Sequence, residues 1–162
     1  MAAAGAALVV VGATLAAVGA LMTWATVGVR VVESNTDTVI PGIDFTDGLV
    51  VLVAGVGGLA LVMATRVSRS EGSARTAANL QIVLGVVITL LAGAFVSRAG
   101  ERQDLQDTLA IPPELRVDLQ AFIDVGPGAF IALAGGVLIV AGAVAARASS
   151  TRAAATAPAT AT

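Results

Sequence analysis

Residues 121–146, AFIDVGPGAFIALAGGVLIVAGAVAA, decide the fold of this chain, because residues 41–59, PGIDFTDGLVVLVAGVGGL, share their pattern. In both stretches a short acidic segment leads into an uncharged apolar run that is stable only in lipid or in a deep core. The match predicts an internal repeat of two membrane hairpins, related by a pseudo-two-fold axis along the membrane normal. The matching positions keep identical spacing without a gap: Ile43-Asp44, Gly48 and Ala54-Gly55 correspond to Ile123-Asp124, Gly128 and Ala134-Gly135.

The composition is that of a membrane protein. Of the 162 residues, 57% are hydrophobic and 12% are charged, and the mean hydropathy is +0.92, all outside the range of soluble domains. The chain contains no Cys, His, Tyr or Lys. Disulfides, thiolate metal sites, Lys Schiff bases and imidazole acid–base chemistry are therefore excluded. We expect no enzyme activity, no catalytic residue, no cofactor and no nucleic-acid partner.

Four apolar segments predict an all-α membrane fold, a four-helix bundle built from two tandem hairpins. Each segment is uncharged and long enough to cross the hydrocarbon core of about 30 Å. A cleaved signal peptide is disfavoured for the first segment, which lacks a preceding basic region. We expect a transmembrane domain over residues 1–146 and a disordered tail over 147–162, which has little to bury. The predicted spans are residues 5–27, 48–65, 80–97 and 128–146.

Small residues predict which helix faces pack together. Gly5, Gly12 and Gly19 recur every seven residues, and Gly128 and Gly136 belong to a run with a small residue at every fourth position. Small side chains let helices approach closely, and such packing replaces the hydrophobic driving force that is missing in lipid. The predicted helix-packing positions are Gly12, Gly19, Gly55, Gly85, Gly128 and Gly136.

Two side-chain types near the predicted span ends have assigned roles. Trp24 is expected to anchor the first span in the aromatic belt, where amphipathic rings lie at the level of the headgroups. Asp44, Asp47 and Asp124 precede or begin predicted helices, where a carboxylate satisfies free N–H groups and favours the positive helix end. A catalytic or cation-binding pair of Asp44 and Asp124 is the alternative, and we favour the helix-start role.

The two outer loops, residues 28–47 and 98–127, are expected to be partly structured. In the first loop, β-branched residues flank Ser34–Asp37, which predicts a small β-hairpin with its turn at those four residues. In the second loop, an extension of the third helix should be followed by a short amphipathic helix with Leu115, Leu119, Phe122 and Ile123 on one face.

An acid cluster in the second outer loop is a candidate cation site. Glu101, Asp104 and Asp107 are spaced three apart, which brings their carboxylates together if the third helix continues. Oxygen ligands of this kind suit Ca²⁺ or Mg²⁺. Arg98 and Arg102 lie within one turn, however, so a solvated and salt-bridged face is the favoured interpretation.

Arginine placement predicts the orientation in the membrane. Residues 66–79, a predicted flexible turn, carry a net charge of +2 (three Arg, one acid), and the tail carries +2 (two Arg). The outer loops each carry −3 (one Arg with four acids, and three Arg with six acids). Because short basic segments stay in the cytoplasm, both termini should be cytoplasmic. Abundant Ala, Val, Gly and Arg without Lys is typical of a high-GC bacterial genome.

Three stretches carry a resemblance to a known group of proteins: Trp24, residues 41–48 (PGIDFTDG) and residues 124–144 (DVGPGAFIALAGGVLIVAGAV). The chain resembles small four-helix membrane proteins common in actinobacteria, most of them of unassigned function. This resemblance implies a multi-pass protein of the bacterial plasma membrane and no catalytic residues. The layout is also similar to that of claudin-like tetraspans, although their paired loop cysteines are absent here.

Two functions remain after these exclusions. The first is an accessory or interaction protein whose acidic extracytoplasmic cap meets a membrane or envelope protein. The alternative is a small channel or transporter subunit that acts as an oligomer, and the sequence leaves a homo-oligomer open. No predicted span contains an ionisable residue of the kind that marks ion or proton pathways, so we favour the accessory protein.

Overall fold

The structure, a computed structural model, describes residues 2–31, 34–68, 71–101 and 120–156. These residues form four helices and three strands in the order α1, β1, β2, α2, α3, β3, α4. A 3-10 helix, Gly42–Asp44, is separated from α2 by one residue, Phe45. The helices are α1 (Ala2–Leu21), α2 (Thr46–Ser68), α3 (Glu71–Glu101) and α4 (Pro127–Thr156), and the strands are β1 (Thr23–Val31), β2 (Ser34–Pro41) and β3 (Gln120–Val125).

All four helices are long and apolar enough to cross a membrane. The apolar stretches have mean hydropathies of 2.2 to 2.4. Even α1, with 20 residues, extends about 30 Å. The predicted number and order of long apolar helices is therefore confirmed. These stretches are Ala3–Leu21, Thr46–Val67, Gly72–Arg98 and Pro127–Ser149.

The helix ends differ from the predicted spans. Helix α1 ends at Leu21, and the predicted last turn through residue 27 belongs to β1, because Thr23–Val31 is rich in β-branched residues that favour a strand. The expected flexible turn at residues 66–79 is mostly helical, since α2 continues to Ser68 and α3 begins at Glu71. Residues 147–156, expected to be disordered, continue α4, in keeping with the high helix propensity of their alanines.

The strands form an antiparallel sheet in the order β2-β1-β3. The predicted hairpin in the first loop is confirmed, but the predicted turn is wrong: Ser34 pairs with Val31, so Ser34–Asp37 lie on β2. Phe122 and Ile123, predicted to lie on an amphipathic helix, lie on β3. Pairing with the free edge of β1 satisfies their backbone groups better than an isolated short helix would. Residues 102–119, which hold the rest of that predicted helix, lie outside the described residues.

Helices α1 and α4 are joined by three antiparallel glycine pairs: Gly5 with Gly142, Gly12 with Gly135, and Gly19 with Gly128. A Cβ atom added to Gly12 would lie 2.6 Å from the Gly135 carbonyl oxygen, and one added to Gly19 would lie 2.8 Å from the Gly128 oxygen. The two backbones are therefore in close contact at three levels, over residues 5–19 of α1 and 128–142 of α4. We call these three pairs the glycine seam.

The other predicted packing positions lie at two further interfaces. A Cβ atom on Gly55 of α2 would lie 3.0 Å from the Ala17 nitrogen of α1. Between α3 and α4, a Cβ atom on Gly85 would lie 3.0 Å from the Gly136 oxygen, and one on Gly136 would lie 2.6 Å from the Thr89 hydroxyl. Each of the six predicted glycines thus lies at a close helix–helix contact.

The sequence match between the two hairpins is not accompanied by matching contacts. Gly55 of α2 faces α1, so the pseudo-two-fold axis would place its counterpart, Gly135 of α4, against α3. Gly135 instead faces α1, with its added Cβ atom 2.6 Å from the Ala16 nitrogen. It is the neighbouring Gly136 that faces α3. The shared sequence pattern is therefore not matched by the helix contacts at these glycines.

Candidate functional site

Trp24 lies at the junction where the sheet meets one end of the helix bundle. Its side chain is 0% exposed, and its indole Nε1–H donates a hydrogen bond of 2.9 Å to the Gly19 carbonyl oxygen. That carbonyl belongs to the last turn of α1 and also accepts the Met22 N–H at 3.2 Å, so the indole is its second donor. The predicted role of Trp24 as an anchor in the aromatic belt is therefore wrong: the ring is buried inside the protein, where its N–H finds an acceptor at the end of α1.

Two phenylalanines complete an aromatic cluster around Trp24. The Phe95 ring of α3 lies 4.9 Å from the Trp24 ring at an interplanar angle of 61°. Phe45, just before α2, meets Phe95 at 5.0 Å and 63°. Edge-to-face pairs of this kind each contribute about 0.5 to 1.5 kcal/mol beyond area burial. All three rings lie near predicted span ends on the same side of the membrane, but no sequence pattern indicates that they touch.

Backbone contacts fix the sheet to the same junction. The Gly42 N–H donates to the Met22 carbonyl oxygen at 2.9 Å, and the Gly126 N–H donates to the Trp24 carbonyl oxygen at 2.8 Å. A Cβ atom on Gly42 would overlap the Trp24 indole. The sheet is thus held to the bundle by hydrogen bonds, ring contacts and a steric fit that requires glycine at position 42.

The three predicted helix-start acids lie in three different local structures. Asp47 lies in the first turn of α2, where its charge favours the positive helix end. Asp44 is exposed and is the last residue of the 3-10 helix, whose start at Pro41 has no side-chain cap. Asp124 is exposed and lies on β3 opposite Thr26, so its predicted helix-start position is wrong. The pairing of residues 120–125 with β1 moves Asp124 out of the helix-start geometry.

The predicted cation cluster cannot be assembled from the described residues. Glu101 is the last residue of α3, whereas Asp104 and Asp107 lie outside the described residues. Within residues 2–31, 34–68, 71–101 and 120–156, no group of three carboxylates could hold a metal ion. The cluster of Glu101, Asp104 and Asp107 stays a prediction.

The outer edge of β2 offers a surface for a partner. Because β1 lies between β2 and β3, no described strand pairs with the other side of β2. Asp37, Thr38 and Val39 are exposed on this strand, and Val39 is 60% exposed. An exposed strand edge presents unpaired N–H and C=O groups, which template the addition of another strand.

Polar groups within the helices are directed at their own backbones. The Thr14 hydroxyl donates to the Val10 oxygen at 2.9 Å, and the Thr89 hydroxyl donates to the Gly85 oxygen at 2.8 Å. Gln81 of α3, which no sequence pattern singles out, is the one buried polar residue among those whose burial the structure describes. These groups form no continuous polar stripe along the described helices, and such a stripe is what a pore requires.

No family model matches this chain, and no curated protein matches it significantly in sequence. The resemblance to small actinobacterial membrane proteins therefore stays a prediction. The candidate site rests on geometry alone: an acidic three-stranded sheet fixed to one end of four apolar helices.

Proposed function

We propose that the chain is an integral protein of a bacterial plasma membrane that binds another membrane or envelope protein and performs no catalysis. The binding element is the outer cap, which we define as β1, β2, β3 and the 3-10 helix. Both termini lie in the cytoplasm, and the cap lies outside.

The observation that carries this proposal is the exposed edge of β2. A partner strand added to that edge would gain main-chain hydrogen bonds along up to eight residues, Ser34–Pro41. The exposed carboxylate of Asp37 and the exposed apolar side chain of Val39 are two residues apart, so they lie on the same face of the strand and offer specificity there. With Asp44 and Asp124 also exposed on the cap, the best-matched partner strand is basic.

The Trp24 junction supports a binding role because it makes the cap rigid. A two-stranded hairpin is marginally stable alone in water. Here a third strand, the buried indole and two hydrogen bonds to the bundle hold it before any partner arrives. Binding to such a preorganised edge avoids most of the entropic cost of ordering a loop.

The orientation rests on the charges of exposed helix ends. Arg66, Arg75 and Arg147 are exposed at the ends of the helices opposite the cap. Arginines close to the membrane are retained on the cytoplasmic side. The acids of the cap then face outward.

The test is a lysine substitution on the proposed binding edge. We expect Val39→Lys to abolish co-purification of the partner from native membranes, because lysine on an edge strand blocks strand addition. The matched control is Ile43→Lys, which adds the same charge at a 41% exposed residue of the cap that lies off the strand edge. Both variants should retain the unfolding temperature of the parent in detergent.

Three results would reject the proposal. The first is crosslinking in native membranes that recovers self-links alone. The second is equal loss of the partner in Val39→Lys and in the control. The third is ion flux through liposomes that contain the purified protein, which would support the alternative of an oligomeric channel subunit.

A further inference from the structure

Helices α3 and α4 leave an open cavity of about 350 Å³ at the surface of the bundle. Leu90 is 65% exposed and Val137 is 52% exposed, so the cavity opens to the surroundings of the helices. The hydroxyl of Thr89 is already used in its hydrogen bond to the Gly85 oxygen. The cavity therefore presents an apolar surface, lined by Val86, Thr89, Leu90, Val137, Val140 and Ala141.

The cavity lies within one leaflet of the bilayer in the orientation proposed above. Val86 follows Asn79 by seven residues, and Val140 precedes Arg147 by seven. At about 1.5 Å per residue, both separations are roughly 10 Å along the helix axes. One leaflet contributes roughly 15 Å of hydrocarbon, so the cavity lies at acyl-chain depth below the arginine-bearing end of the bundle.

A line of polar residues connects the cavity with that end. Arg75, Asn79 and Val86 lie on one face of α3, being four and seven residues apart, and Val140 and Arg147 share a face of α4. The guanidinium Nη1 of Arg147 donates a hydrogen bond of 3.1 Å to the Asn79 side-chain oxygen. The α3–α4 groove thus runs from the cavity to two exposed arginines, Arg75 and Arg147.

We propose that this groove binds an anionic phospholipid, with an acyl chain in the cavity and the phosphate beside Arg75 and Arg147. The inference depends on the proposed membrane insertion and is independent of the partner bound by the cap. Charge selects this occupant: guanidinium groups bind phosphate through paired, charge-assisted hydrogen bonds. A second copy seated symmetrically in the groove would bring arginines of equal charge to the same depth, which disfavours it.

The test compares two lipids bound to the purified full-length chain. Native mass spectrometry from detergent counts the molecules of phosphatidylglycerol or phosphatidylcholine retained after titration. We expect phosphatidylglycerol to be retained preferentially. Its affinity should fall roughly fivefold in Arg75→Gln, the effect of one cation near an anionic surface. Ala141→Leu should lower the affinity as well, because the longer side chain fills the cavity.

Two matched controls separate the groove from general surface charge. Arg66→Gln removes the same charge from the end of α2, outside the groove, and Ala145→Leu adds the same volume to an exposed position of α4 that does not line the cavity. Both should retain the parent affinity for phosphatidylglycerol. Thermal unfolding of each variant verifies that it is folded.

The proposal is overturned by any of three results. Equal retention of phosphatidylglycerol and phosphatidylcholine would show that the groove does not select lipids by charge. A loss of phosphatidylglycerol affinity in Arg66→Gln equal to that in Arg75→Gln would show that the lipid responds to the overall surface charge and not to the groove. A lipid-free dimer that Ala141→Leu dissociates would assign the groove to a second copy. Failure of the cap experiment with Val39→Lys leaves each of these readouts unaffected.

Discussion

The glycine seam predicts a contrast between two alanine substitutions. In Gly12→Ala the new methyl group would lie 2.6 Å from the Gly135 oxygen, 2.8 Å from the Ile139 nitrogen and 3.0 Å from the Ile139 Cγ1 atom. In Gly57→Ala of α2, the nearest atom is the Leu84 Cδ1 atom at 4.0 Å, an ordinary contact. The first change must move a backbone, whereas the second need move nothing.

The magnitude follows from these distances. Restoring ordinary contacts of about 3.5 Å requires α1 and α4 to separate by roughly 1 Å at Gly12. Such overpacking costs about 1 to 3 kcal/mol. Both substitutions gain about 1 kcal/mol of helix propensity, since alanine replaces glycine within a helix. That gain cancels in the comparison, so Gly12→Ala should be about 1 to 3 kcal/mol less stable than Gly57→Ala.

The measurement is reversible unfolding in mixed micelles of a mild detergent and dodecyl sulfate, followed by loss of helical circular dichroism. The partner substitution Gly135→Ala should destabilise the chain similarly. The double variant should cost less than the sum of the two, because the first methyl group already separates the helices. Equal stability of Gly12→Ala and Gly57→Ala would show that α1 and α4 are not in backbone contact, and the seam would have to be abandoned.

Three further substitutions test the junction, the α3–α4 contact and the acids. Trp24→Phe should cost about 1 to 3 kcal/mol, because it removes the buried hydrogen bond from the indole N–H to the Gly19 oxygen and leaves a gap where the larger ring packs; an unchanged unfolding midpoint in detergent would contradict this. Gly136→Leu should lower the free energy of unfolding by about 1 to 3 kcal/mol through overpacking. The control Gly93→Leu should cost less, because a Cβ atom there would lie 3.7 Å from the Leu133 Cδ1 atom, an ordinary contact. A smaller loss of stability in Gly136→Leu than in the control would contradict the close α3–α4 contact. The double variant Asp44→Asn, Asp124→Asn should change stability by no more than about 0.5 kcal/mol, since both are exposed surface residues. If the double variant folds normally but no longer co-purifies with the partner, the two carboxylates bind the partner rather than stabilise the fold.

The elements with a strong one-dimensional signal were predictable from the sequence. Four uncharged runs of membrane length can be read without any tertiary information, since each helix satisfies its own backbone hydrogen bonds. The hairpin of β1 and β2 is likewise local, because a β-branched segment meets its neighbour across a short connection. Half of the glycine seam was also visible, since Gly5, Gly12 and Gly19 are seven apart. The partner glycines Gly128, Gly135 and Gly142 are also seven residues apart, so the other half of the seam is visible in the sequence as well.

Features that depend on distant partners were decided by the tertiary structure. The position of Trp24 near the end of an apolar run fits an anchor in the aromatic belt as well as it fits a buried ring. Its burial comes from packing against Gly19, Gly42 and Phe95. Residues 115–123 have the period of an amphipathic helix, yet residues 120–125 pair with the free edge of β1 as a strand, and this pairing places Asp124 on β3.

The proposed binding surfaces show the same division. The sequence by itself placed ten of the eleven acids in the two predicted outer loops, gave the predicted inner segments a net positive charge, and supplied four spans of membrane length. It could not show that β2 would be an edge strand, or that Arg75 and Arg147 would lie along one groove with an apolar cavity. The physical reason is range: hydropathy and helix periodicity act within about twenty residues, whereas an edge or a groove is defined by elements brought together from separate parts of the chain.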